Sequence, residues 1–210
     1  GMLVSLAHDT VLLTVALPFA NAPLLLLLYN GRRPGADEAT LKFAFIAGLS
    51  WALTGFGFAL NYAATGSTAL SSTATLETTA GLNVAALMLI VIGQGIMLGS
   101  VPFHLPLGDV ADGSDAWRGG VMLIGPRLTA AAALVRFGEI GAPATAAVIV
   151  PLLLLLAVTT LLGGALGALS RRRVWRMLAD ISVAQTGFWL LGLAVLRWWS
   201  VENHPEFAQR

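Results

Sequence analysis

Six apolar runs, each long enough to cross a bilayer, fill most of this 210-residue chain and leave only short connections between them. A helix needs about 20 mostly apolar residues to span the hydrocarbon core. The runs are 3–29, 41–64, 82–103, 119–137, 144–169 and 174–199. Lipid offers backbone N–H and C=O groups no water, so runs of this kind must close their hydrogen bonds internally, as helices. Only 11% of residues are charged, against roughly 25% in soluble domains. The chain therefore reads as an all-α integral membrane protein of about six helices. It forms one transmembrane domain over 1–210 with no soluble domain. Breaks are expected near Pro18, Pro102 and Pro126, because proline lacks the N–H of a helical turn.

Several function classes drop out. There is no cysteine, and the three histidines, His8, His104 and His204, are far apart and give no metal-ligand spacing. No basic patch with interleaved aromatics points to nucleic acid. The first run begins almost at Gly1, without a charged n-region or a short cleavable h-region, so a signal peptide is not expected. The start reads as a cut inside a longer protein or as a tag-derived glycine before Met2.

Connection charge sets the expected orientation. Arg32, Arg33 and Lys42 flank the first connection, and Arg171, Arg172, Arg173 and Arg176 flank the fifth. Four crossings separate them, so both lie on one side, which the positive-inside rule makes cytoplasmic. Connections 30–41, 104–118 and 170–174 are then cytoplasmic and both termini face outward. The second connection, 65–81, is rich in Ser and Thr and carries Glu77.

The fourth run, V-M-L-I-G-P-R-L-T, holds Arg127 near its middle, the charge in the chain least able to reach a membrane surface. An arginine at that depth costs about 2.5–3.5 kcal/mol on insertion scales. Beside Gly125-Pro126 it reads either as a fixed charge on an ion path or as an arginine bound to backbone carbonyls. Gln94 and Gln185 lie inside runs, where a neutral amide binds water or bridges helices. Asp180 is expected to pair locally with Arg176 at i,i+4. His104, after Val101-Pro102-Phe103, reads as an interfacial anchor, and Lys42, the only lysine, as a snorkelling side chain. The Arg171–Arg173 run reads as a topology signal, in reach of anionic lipid.

Several strings, in this order, resemble the antiporter-like membrane subunits of respiratory complex I, of the NADH-quinone oxidoreductase chain N type. They are Glu38-Ala39-Thr40-Leu41-Lys42-Phe43 with Gly48-Leu49-Ser50, then Ala64-Thr65-Gly66-Ser67. Ser100-Val101-Pro102-Phe103-His104 follows, with Asp109-Val110 and Gly113. The last set runs from Gly164 to Leu169 and on through Val174, Arg176, Leu178-Ala179, Ser182, Ala184 and Gly187-Phe188. The resemblance implies helices five to ten of a fourteen-helix fold whose role is to move protons. Quinone and NADH enter only through partner subunits, and this chain carries no cofactor. Partners would be other membrane subunits of a complex I-like assembly, in the lipid bilayer of an energy-transducing membrane.

The family's proton-path residues carry over poorly. Its glutamate falls on Pro18, one lysine on Met97 and the next lysine on Arg127. A further basic position falls on Trp175 and a histidine on Gln185. Arginine does not release its proton near neutral pH, and proline and methionine have none to give. The resemblance thus implies a structural subunit with a degenerate path. The alternatives are an active proton or cation translocator, in which Arg127 is a fixed charge and waters, Gln94, Gln185 and acids of partner subunits form the path, with His104 and Lys42 as further candidates, and a membrane scaffold unrelated to transport.

Overall fold

The computed structural model describes residues 9–29, 35–69, 80–140 and 143–203. His8, Arg32, Arg33, Glu77 and His204 lie outside these described residues. Seven helices follow in order: α1 Thr10–Tyr29, α2 Ala36–Thr65, α3 Ala80–Leu98, α4 Leu105–Gly113, α5 Ala116–Ile140, α6 Pro143–Ser170 and α7 Val174–Asn203. Six correspond to the six apolar runs. By length and composition α1, α2, α3, α6 and α7 are each able to cross a membrane. α5 is also long, at 25 residues, and is the helix that bears Arg127.

The outer surface is apolar, with Phe19, Phe45, Leu26 and Leu169 turned outward. Such a surface suits lipid or neighbouring membrane helices rather than water. α3 is the most enclosed span. Two close helix pairs, α2 with α3 and α6 with α7, frame the bundle. Both depend on glycines that let backbones approach. A Cβ on Gly93 would collide with Thr54 and the Ser50 carbonyl, and one on Gly164 would collide with the backbone of Ala184.

Two of the three expected helix breaks are absent. α1 runs unbroken through Pro18 and α5 through Pro126. A polar side chain stands three residues beyond each proline, and the two bond each other across α1 and α5. Thr129 Oγ1 donates to the Pro126 carbonyl at 2.8 Å and to Asn21 Oδ1 at 3.3 Å, while Asn21 Nδ2 donates to the Leu17 carbonyl at 2.8 Å. Pro102 does mark a break, in the turn between α3 and α4, where the Val101–Pro102 peptide is cis. The third connection, read as a loop, contains the short helix α4, which packs against α2, α5 and α7.

Ion pairs place three connections at one end of the bundle. Lys42 near the start of α2 bonds Asp109 of α4 at 2.7 Å and Glu38 at 2.6 Å. Arg176 of α7 bonds Asp109 at 3.0 Å and Asp112 at 3.1 Å, and Arg173 bonds Asp112 at 2.6 Å. Lys42 and Arg176, one from each of the two basic clusters, therefore meet at the same carboxylate, Asp109. At the opposite end, Thr10 N donates to the Thr68 carbonyl at 2.9 Å and fastens the start of α1 beside the end of α2.

Candidate functional site

α3 ends inside the bundle, and its ending builds the site. Gly99 adopts φ +78°, the left-handed conformation that glycine accepts without Cβ strain. Its N–H donates to the Ile96 carbonyl and the Ser100 N–H reaches back to the Gly95 carbonyl, both at 2.9 Å. This is a Schellman ending, which satisfies two of the last helical carbonyls and leaves the final ones to other donors.

Those donors come from other helices. Arg127 Nε of α5 donates to the Leu98 carbonyl at 3.0 Å, and Thr186 Oγ1 of α7 approaches the same oxygen at 3.4 Å. Thr160 Oγ1 of α6 accepts from the Val101 N–H at 3.2 Å. A cation at a helix C-terminus also meets the negative end of the helix dipole, worth up to about 2 kcal/mol when partly buried. Of the two readings of Arg127 left open by the sequence, binding to backbone carbonyl is the one its side chain displays. Its Nη2 is buried and has no acceptor among the described residues.

Arg127 and Gln185 line one cavity of about 290 Å³ between α5 and α7, with Ser182 and Thr186 beside them. Gln94 stands apart: its Nε2 donates to Thr54 Oγ1 at 2.9 Å across the α2–α3 contact, and its Oε1 is buried and accepts from no donor among the described residues. Lys42 belongs to the ion cluster at the bundle end, so the expected snorkelling lysine is an ion-paired one. Met97 is buried in the core, Pro18 lies inside α1 and Trp175 is exposed near the start of α7.

The expected Arg176–Asp180 pair does not form. Asp180 is buried and accepts from Arg171 Nε at 2.7 Å, across the α6–α7 turn, while Arg176 is taken by the two carboxylates of α4. The arginine run thus makes specific ion pairs besides carrying topology. His104 is half-buried at the start of α4, and its Nδ1 has no partner among the described residues. Burial holds its pKa below the usual histidine value, against an upward pull from Asp180 and with a further downward push from Arg171. For Asp112, burial pushes upward, but the hydrogen bonds from Arg173 and Arg176 outweigh it and hold the carboxyl below its ordinary range. Among the described residues, no cluster of three His, Cys, Asp or Glu side chains is placed to hold a metal.

Sequence reading missed Thr160 and Thr186. Their signal was a hydroxyl inside an otherwise apolar run, which becomes informative only when a helix is known to end beside it.

A multi-pass helical membrane protein with a helix ending inside the bundle, capped there by one arginine and two threonine hydroxyls from other helices, is the class these features define. The chain belongs to the family described as NADH:quinone oxidoreductase/Mrp antiporter, TM, whose model matches residues 7–204. NADH-quinone oxidoreductase subunit N of Beutenbergia cavernae is 37% identical over 203 residues, 93% of this chain and 38% of that protein. A chain of respiratory complex I from Thermus thermophilus, solved with bound aureothin, superposes with a TM-score of 0.77 at 31% identity. It covers 91% of this chain and 42% of its own. A chain of the Mrp complex from Dietzia sp. DQ12-45-1b shares the fold, with a TM-score of 0.80 at 20% identity over 90% of this chain and 36% of its own. The chain therefore spans about two fifths of the length of such relatives.

Proposed function

We propose that this chain is a structural membrane segment of a complex I-like assembly in which Arg127 is a fixed charge that caps α3, not a carrier that binds and releases protons. The observation behind this reading is the 3.0 Å bond from Arg127 Nε to the Leu98 carbonyl. A proton relay needs groups that exchange protons near neutral pH, tuned by burial and neighbours. A guanidinium keeps its proton there. Met97 and Pro18 bring no proton to the positions where the family resemblance puts a lysine and a glutamate.

Similarity to subunit N proteins supports a place in an energy-transducing inner membrane beside other membrane subunits, with quinone and NADH chemistry left to partner subunits. The ion-paired end, with its arginines, would face the cytoplasm. The test is proton translocation by the reconstituted assembly. Met97→Leu and Arg127→Lys should leave protons moved per electron unchanged in assembled complexes. A lower proton yield at equal assembly would overturn the reading.

The cavity that joins Arg127 to Gln185, Ser182 and Thr186 favours a second reading, in which waters there conduct protons past a fixed positive charge. Under it, Gln185→Leu slows translocation without changing the amount of assembled complex.

A further inference from the structure

The contact between α2 and α3 encloses two polar atoms of opposite need. Ser50 Oγ donates to the Gly93 carbonyl at 2.6 Å, and Thr54 Oγ1 donates to the Ser50 carbonyl at 2.8 Å. A hydroxyl has one proton to give. Thr54 gives its own to Ser50, so toward Gln94 it can only accept, and Gln94 Nε2 donates to it at 2.9 Å. That fixes the amide. Its nitrogen faces Thr54, and Oε1 is left as a buried acceptor with no donor among the described residues. Trp51 has the complementary need. An indole N–H can only donate, and Trp51 Nε1 is buried with no acceptor among the described residues.

The helix register turns the two toward each other. α2 and α3 run antiparallel, with Ser50 and Thr54 against Gly93 and Gly57 against Ile90. A right-handed helix turns about 100° per residue. One residue beyond Ser50 and one beyond Gly93, Trp51 and Gln94 therefore lie on the same flank of the pair. α1 covers that flank, where Gly55, one turn after Trp51, lies against Thr14. Gln94 is 2% exposed and α3 is the most enclosed span, so the chain's own helices close this space.

We propose that an ordered water sits beside the α2–α3 contact, donating to Gln94 Oε1 and accepting from Trp51 Nε1. Chemistry selects the ligand. A cation would suit the amide oxygen and be repelled by the indole N–H, and an anion the reverse. An apolar guest would leave both atoms unpaired. Water answers both, and two partners meet the lower end of the roughly two to four bonds that buried waters make. The bridge would join α2 to α3 one turn before the Leu98 carbonyl, which goes beyond the capping role of Arg127.

The experiment is a cryo-EM map of the assembled complex in lipid nanodiscs, at a resolution that shows ordered water. A density peak is expected within about 2.7–3.2 Å of both Gln94 Oε1 and Trp51 Nε1. A second measurement is the ultraviolet resonance Raman marker of indole hydrogen bonding. The difference between wild type and Trp51→Phe isolates Trp51 from the other tryptophans. It should show a hydrogen-bonded indole, and Gln94→Leu should move the marker to the unbonded position. A direct bond between the two side chains, no peak between them, or a marker indifferent to Gln94→Leu would overturn the proposal. The wild-type map decides even where Gln94→Leu does not assemble. Proton yield is not read here, so this result and the test of the capping role fail independently.

Discussion

The buried end of α3 and the charged end of the bundle both depend on arginine, but they hold it differently. At the bundle end, Arg173 and Arg176 meet the carboxylates of Asp109 and Asp112, and α4 is tied to α2 and α7 by charges in contact with water. Inside the bundle, Arg127 donates to the Leu98 carbonyl, which Thr186 also approaches, and no carboxylate among the described residues pairs with it. Exposed ion pairs are worth little each, because water and salt screen them. A charge-assisted hydrogen bond shielded from water is worth more, and its loss leaves a buried acceptor unpaired. The difference teaches that the stabilising arginine is the one whose surroundings look least favourable.

Removing Arg127 should separate the two regions most clearly. Arg127→Ala is expected to lower unfolding stability in detergent by about 2 kcal/mol or more, because the Leu98 carbonyl keeps only the long contact to Thr186. Thr160→Val comes next, at about 1 kcal/mol, since the Val101 N–H loses its acceptor. Asp112→Asn should cost less than about 1 kcal/mol, and that loss should fade at roughly 1 M salt, where the Debye length is about 3 Å. Salt that erased the Arg127 effect equally would break the comparison.

Acid should reach the bundle end in two steps. His104 has a depressed pKa in the fold, so the unfolded chain binds its proton first. Stability from this group is present above the usual value of about 6.5 and declines as pH falls toward the folded value. Asp112 is likewise depressed, so its contribution is present above about 4 and is lost as pH falls through its folded pKa. His104→Gln should remove the first step in pH-dependent unfolding and leave the second.

The six long helices were legible because lipid demands long apolar runs, and those runs cannot hide. α4 was not legible: Leu105–Gly113 is nine residues, begins with a proline near its start and mixes apolar residues with Asp109 and Asp112. Pro18 and Pro126 misled because a missing N–H was read as a break, whereas α1 and α5 each carry their proline inside an unbroken helix. Arg176 was read with its i,i+4 neighbour because sequence shows which side chains can reach, not which rival is nearer in space. Arg127 itself stood out at once as a charge in an apolar run. Its partner did not, since a backbone carbonyl carries no side-chain signature.

The most direct measurement is protons translocated per electron in proteoliposomes holding the assembly, compared for wild type, Arg127→Lys and Arg127→Gln and normalised to assembled complex. A fixed structural charge predicts an unchanged ratio in every variant, with less assembled complex for Arg127→Gln. A reduced ratio at undiminished assembly would contradict it.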